Sequence, residues 1–292
     1  STVMCFGQTG SGKTYTTNGV AERAAAALFA ALPAGAAVLA VCVEVAGSKI
    51  HDLLSDGADV SLLEDGDGRV HLKGAAEHPT ADAAALQATL VRAQASRAAA
   101  ATGVHDASSR SHSVCRVVLR DADGAELGRL DLVDLAGSEW AADREQHSAE
   151  RQREGAEINT SLMTLKACMR SAMAEGPGGE ATRLPYRQHA LTKLLKDSFT
   201  GAEARTVLLA TLSPSSADTE HSLSTLQHVG AIANSGRDAG AAEPEAESEV
   251  LQTEASKVAR RVLTTNVPQA QELLRAAEQG GAAEPGAAEE EE

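Results

Sequence analysis

Eight residues near the start of the sequence, Gly7, Gln8, Thr9, Gly10, Ser11, Gly12, Lys13 and Thr14, constrain this chain more than anything else in it. They fit the pattern of a glycine, four residues, then Gly-Lys-Thr. In that pattern the glycines let backbone N–H groups close around phosphate oxygens. Lys13 adds a point charge near the β and γ phosphates, and Thr14 offers its hydroxyl to Mg²⁺. Such a loop works between a buried strand and a helix. Thr2 to Phe6 supplies the strand, whereas a chance glycine-rich turn would need neither flank.

The remaining pattern alternates strand and helix, as an α/β fold requires. Apolar runs at 38–45, 114–119, 127–133 and 206–212 are short and rich in Val and Leu, which predicts strands, and Asp123-Gly124 predicts a hairpin turn between two of them. Helices are predicted at 20–32, 82–101, 154–175, 188–199 and 218–233. Within the third, Ile158, Leu162, Leu165 and Met169 share one face, the ordinary spacing of a core-packing stripe. Aromatic residues make up only 2%, so the core must be built from Leu, Val and Ala.

Charge and composition exclude several classes. The net charge is −15, and the segment from Asp238 to Glu292, with 13 acidic and 4 basic residues, carries −9 of it. A chain this acidic is a poor general nucleic-acid binder. No apolar run approaches the roughly 20 residues of a membrane span. Cys5, Cys42, Cys115 and Cys168 are widely spaced with no Cys-x-x-Cys pair, as expected of reduced thiols in a cytosolic protein rather than a zinc site. Composition shifts near residue 235, which divides the chain into a domain at 1–235 and an acidic, low-complexity tail at 236–292. The tail is expected to be largely disordered, with short helices at 249–263 and 269–278 that sustain no heptads.

Two further motifs narrow the chemistry. SSRSHS at 108–113 puts adjacent hydroxyls and an arginine just before a strand. DLAGSE at 134–139 follows another strand, so that Asp134 can hold Mg²⁺, directly or through water, and Gly137 can present its N–H to a γ-phosphate. Each alone could be a turn or a cap; together, in this order after Lys13, they describe a nucleotide switch.

The set GQTGSGKT, SSRSH, DLAGSE, EGAEINTSL and LPYRQHALTKLLKDSFTG resembles the kinesin motor domain, with every motif in family order from residue 1 to about 235. EGAEIN and LLEDGDGRVHLKGAAEH are most similar to the internal-motor subfamily, whose members depolymerise microtubule ends. The resemblance implies a phosphate-loop NTPase fold, a three-layer sandwich whose central, mostly parallel sheet carries helices on both faces. It implies ATP and Mg²⁺ as ligands. Gly7 to Thr14 would bind phosphate, and Thr14, Ser109 and Asp134 would serve the Mg²⁺. Ser108 would position the attacking water, Arg110 and Glu139 would form a salt bridge closing the site, and Gly137 would sense the γ-phosphate. It also implies a microtubule face through about 154–199, where Lys166, Arg170, Arg183, Arg187, Lys193 and Lys196 supply positive charge against acidic tubulin. Arg69 and Lys73 lie in a hairpin at 69–73 that makes a second contact. The implied location is the cytoplasmic cytoskeleton.

Departures from the family pattern bear on turnover. His105 replaces an Asn that contacts the γ-phosphate, Trp140 follows DLAGSE where Arg is usual, His189-Ala190-Leu191-Thr192 replaces Ser-Lys-Leu-Thr, and Gln227-His228-Val229 replaces Arg-Tyr-Ala. A kinesin head begins roughly 80 residues earlier, with a first strand that packs on the adenine. The sequence is therefore expected to start inside a motor domain, with its first strands missing. A non-hydrolysing, microtubule-binding relative is the alternative reading. A GTP switch fits Asp-x-x-Gly at 134–137 but lacks an Asn-Lys-x-Asp motif.

Overall fold

A computed structural model of the chain describes residues 1–99, 109–139, 149–175 and 185–235. The tail at 236–292, His105, Ser108, Trp140 and Arg183 lie outside the described residues.

The sheet is organised around β1 (Thr2–Phe6), an apolar pentapeptide with Met4, Cys5 and Phe6 all buried. Strand β8 (Glu126–Asp134) lies parallel on one side of it, pairing Thr2 with Asp131 and Cys5 with Asp134. Strand β9 (Thr206–Ala210) lies parallel on the other side, in register from Thr2–Thr206 to Phe6–Ala210. Beyond β8 come β7 (His112–Arg120) and β2 (Ala37–Ala46), both antiparallel to their neighbours. Then β3 (Lys49–Asp52) and β6 (His78–Thr80) share the outer edge of β2. The order is β3-β2-β7-β8-β1-β9, with β9 at the edge. A two-stranded hairpin, β4 (Ser61–Glu64) and β5 (Val70–Lys73), stands apart, at the position expected for 69–73. The expectation of a mostly parallel sheet is corrected: parallel pairing is confined to β8, β1 and β9. The reason is the Asp121–Ala125 turn, which closes a direct hairpin between β7 and β8 with Gly124 at φ 85°, so no crossover helix intervenes.

Helices cover both faces. On one, α1 (Lys13–Ala30) and α2 (Ala83–Ala99) pack Ala21, Ala25, Leu86, Leu90 and Ala93 on Ala40, Cys42, Val117 and Leu132. On the other, α3 (Ala149–Glu175), α4 (Ala190–Leu194), α5 (Lys196–Thr200) and α6 (Thr219–Asn234) pack on Met4, Val41, Val43, Val114 and Val133. Alternation along β2 sorts its side chains between these two cores, as period-2 geometry demands. The stripe Ile158, Leu162, Leu165 and Met169 of α3 is buried in the second core. All four cysteines are free and buried.

Two helices differ from expectation. α1 begins at Lys13, not near residue 20, because Gly12 caps it in a left-handed conformation (φ 95°) and the loop itself turns into the helix. The polar, β-branched run KTYTTN carries little helical signal of its own. The single helix expected at 188–199 is a 3₁₀ turn at Pro185–Gln188 followed by α4 and α5, broken at Leu195. Next to that break the buried Arg116 guanidinium takes the Leu194 carbonyl (3.4 Å).

Candidate functional site

Sheet register brings the three motifs together. The C-terminal ends of the parallel strands β1 and β8 coincide, and the antiparallel β7 begins beside them, with Ser113 opposite Asp134. The loop after β1, the turn after β8 and the residues before β7 therefore meet at one edge of the sheet, where open α/β sheets place their ligands.

The loop 7–14 is shaped by its glycines. A Cβ on Gly7 would lie 2.3 Å from the Thr211 carbonyl oxygen, so no larger residue fits. Gly10 and Gly12 adopt φ of 81° and 95°, the left-handed region that favours glycine. Ser11 N and Oγ both donate to the Gln8 carbonyl, and the Lys13 ammonium donates to it as well (2.8 Å). Lys13 is only 7% exposed. Burial pulls its pKa down, while the carboxylates of Asp134 and Glu139 pull the other way. A buried cation hydrogen-bonded to a neutral carbonyl is suited to an entering phosphate. The cleft above it is lined by Thr9, Gly10, Gly12, Lys13, Thr14, Tyr15 and Ser109.

Asp134 is the hub. Its Oδ2 accepts from the Thr14 hydroxyl (2.7 Å) and from Arg97 Nη1 (2.8 Å), while Oδ1 is buried with no partner among the described residues. A carboxylate oxygen left over beside a threonine hydroxyl is the donor set a hydrated divalent cation needs, so these residues fit Mg²⁺.

The turn 135–138 spends its N–H groups internally. Ala136 N donates to His112 Nδ1 (3.1 Å), Gly137 N to the Ser109 carbonyl (3.2 Å) and Ser138 N to the Gly7 carbonyl (3.1 Å). Glu139 grips the loop, with Oε2 accepting from Thr9 N (2.9 Å) and Oε1 from Thr9 Oγ1 (2.5 Å). Burial raises its pKa, but the Thr9 hydrogen bonds, its own backbone N–H and the charge of Lys13 together hold it below the usual range. Arg110 sits on the turn entering β7.

Arg97 was not singled out from the sequence. It is 3% exposed on α2, and besides Asp134 it donates to the Ser111 carbonyl (2.5 Å) and to Ser111 Oγ (3.3 Å); Ser111 Oγ donates in turn to Glu44. The signal was present: Leu86, Leu90, Ala93 and Arg97 fall at helical spacing on one buried face. A charge on an apolar stripe must have partners.

The expected basic face is altered at Lys196, Arg187 and Lys166. Lys196 is 8% exposed, and its ammonium donates to Glu64 Oε1 (3.0 Å) and to the Gly68 carbonyl, so it is an internal tie and not a surface charge. Arg187 Nη2 reaches the same Glu64 oxygen (3.0 Å), and the Tyr186 hydroxyl donates there too (3.3 Å). Hydrogen bonds from Arg187 and Lys196 hold the Glu64 carboxyl down at about 2. These contacts fasten the β4–β5 hairpin to 185–196. Lys166 is half-buried, with its ammonium 5.0 Å from the Phe6 ring centroid, and burial lowers it to about 8. Arg69, Lys73 and Arg170 are exposed, and Lys193 is half-exposed.

Comparison with known proteins places the chain in a family. The family profile of the kinesin motor domain matches residues 1–234. The chain is 41% identical over 235 residues to diatom spindle kinesin-1 of Cylindrotheca fusiformis, covering 80% of this chain and 37% of that protein. It is 34% identical to kinesin-like protein KIN-13B of Arabidopsis thaliana (78% and 34% covered) and 36% identical to human KIF24 (78% and 17%). The chain thus spans little more than a third of these relatives' length, or less. Among solved structures, a KIF14 dimer with AMP-PNP in complex with a microtubule matches with a TM-score of 0.65 at 30% identity (79% of this chain, 70% of that one). The motor and motor homology domain of Kar3Vik1 matches with 0.67 at 28% (79% and 63%). Sheet order, phosphate loop and both flanking motifs lie within the matched span, and the chain belongs to the kinesin motor-domain family.

Proposed function

We propose that this chain binds and hydrolyses ATP at the 7–14, 108–111 and 134–139 segments and couples that cycle to microtubule binding. The observation that carries the reading is the convergence at Asp134. Its carboxylate meets the Thr14 hydroxyl and keeps one oxygen unspent, beside the buried ammonium of Lys13.

Backbone N–H groups of the loop from Gly7 to Thr14 receive the phosphates, and Lys13 turns from the Gln8 carbonyl to a phosphate oxygen. Thr14, Ser109 and Asp134 hold Mg²⁺, which when bound neutralises charge on the β and γ phosphates. Ser108 positions the attacking water. Gly137 exchanges the Ser109 carbonyl for the γ-phosphate, and Glu139 leaves Thr9 to pair with Arg110. The Gly137 exchange replaces an internal hydrogen bond with one made only when the γ-phosphate is present, so a single phosphate selects between two arrangements. The microtubule contact is proposed for the α3 to α5 region and the β4–β5 hairpin, with Arg69, Lys73, Arg170 and Lys193 facing acidic tubulin. On this reading the protein works on cytoplasmic microtubules.

The test is binding of a fluorescent ADP or ATP analogue with and without Mg²⁺. Lys13→Ala is expected to abolish the Mg²⁺-dependent binding. Equal binding by the variant and the unmutated chain would overturn the site.

A further inference from the structure

His112, the histidine of SSRSH, is 2% exposed and has both ring nitrogens engaged. Ala136 N–H donates to Nδ1 (3.1 Å), so the ring proton sits on Nε2, which faces Ser161 Oγ on α3 at 3.0 Å. Ser161 Oγ spends its own proton on the Ile158 carbonyl (2.7 Å), which leaves a lone pair to accept from Nε2. The donors therefore run one way, from Ala136 through His112 and Ser161 to Ile158, and valence alone fixes the tautomer. Burial, with help from the charges of Arg97 and Lys13, lowers the ring to about 3, so it stays neutral and its two ends keep distinct roles.

This chain of bonds starts one residue from Gly137, whose N–H is held by the Ser109 carbonyl (3.2 Å), and it ends inside the helix that follows the turn. A shift of the 135–138 turn that frees Gly137 must either carry Ala136 and His112 with it or break a buried hydrogen bond. We infer that His112 is a positioning residue that transmits movement of the Ala136–Gly137 turn to α3 through Ser161. The inference rests on the reading of the turn as a γ-phosphate sensor. It adds a contact through the protein interior, separate from the covalent path through 140–148.

Ser161→Ala removes the acceptor on α3 without touching the nucleotide loop. His112→Asn keeps an acceptor near Nδ1 but cannot reach Ser161, so it should reproduce the Ser161→Ala behaviour. Two readouts on the full chain test the idea. In amide hydrogen exchange, Ser161→Ala should expose the Ala136 amide, across the ring from the mutation, about tenfold, while the Ser138 amide, bonded to Gly7, keeps its protection. In release of a fluorescent ADP, the unstimulated rate should hold within about twofold while the acceleration by microtubules falls about tenfold, the size of a typical coupling between sites. An unchanged Ala136 amide, equal loosening of Ser138, or full microtubule acceleration in Ser161→Ala would each overturn the inference. Failure of the unmutated chain to bind the ADP would instead overturn the functional reading, and the exchange readout would still decide the role of His112.

Discussion

Replacing Arg97 by Met keeps most of the aliphatic stem and deletes the guanidinium. What remains is a buried Asp134 with one oxygen unpartnered among the described residues and the other keeping the Thr14 hydroxyl, while Glu44 and Ser111 each lose their contact with the guanidinium. Both members of the pair are deeply buried, at 3% and 5% of side-chain surface, so solvent cannot screen the loss. Removing one partner of such a pair costs about 3–5 kcal/mol, because the surviving charge is left uncompensated. Against a total stability of about 5–15 kcal/mol that is a large share. At about 2–4 °C per kcal/mol for a chain of this size, the midpoint should fall by roughly 10 °C. Adding Asp134→Asn to Arg97→Met should recover part of the loss, since the charge on residue 134 is then removed too, while Glu44 and Lys13 keep theirs. Mg²⁺ with nucleotide should also rescue the single variant in part, by giving Asp134 a cation again. Thermal melting of the two singles, the double and the unmutated chain measures all of this. A single-variant loss below about 1 kcal/mol, or simple additivity in the double, would refute the hub reading of Asp134.

Lys196→Gln should lower the melting temperature by detaching the β4–β5 hairpin, whereas Lys73→Glu and Arg170→Glu, both exposed, should leave melting alone and weaken microtubule co-sedimentation; the reverse pattern would show the basic face to be wrongly drawn. Lys166 titrates near 8 in the folded chain against 10.5 for an ordinary lysine. Between those values the unfolded chain binds the extra proton, so stability from this group should rise as pH climbs through that window, and Lys166→Met should flatten the rise in a melting series from pH 7 to 10. Strand β9 has β1 as its only neighbour among the described residues, and Val207 is 50% exposed on it. Val207→Lys should therefore reduce self-association in sedimentation velocity, and identical behaviour of variant and unmutated chain would remove that edge as the cause.

Signals carried within a few residues were readable beforehand. The Val-rich runs, the Asp-Gly turn and the Ile158–Met169 stripe all follow from local sterics or from a period of 2 or 3.6, and the strands so predicted are present, whereas the helix at 188–199 is broken and the tail helices lie outside the described residues. The nucleotide motifs were legible for the same reason, since Gly7-x-x-x-x-Gly12-Lys13-Thr14 and Asp134-x-x-Gly137 are short patterns read within a few residues. The start of α1 at Lys13 was missed because the loop, not the propensity of KTYTTN, sets that helix going.

What the sequence by itself determined about this protein is the order of its main strands and helices, its two-faced strands and its phosphate-loop motif. What only the tertiary structure decided is which distant groups meet: Arg97 with Asp134, Glu139 with Thr9, His112 with Ser161, and Lys196 with Glu64 instead of solvent. Strand periodicity tells a residue which face it is on, but not which strand lies next to it. That choice is made by parallel pairing of β1 with β8 and antiparallel pairing of β7 with β8, contacts more than a hundred residues apart in the first case. A charge has no preferred partner until such pairing removes the water around it, and then the nearest opposite charge in the fold is the one that counts.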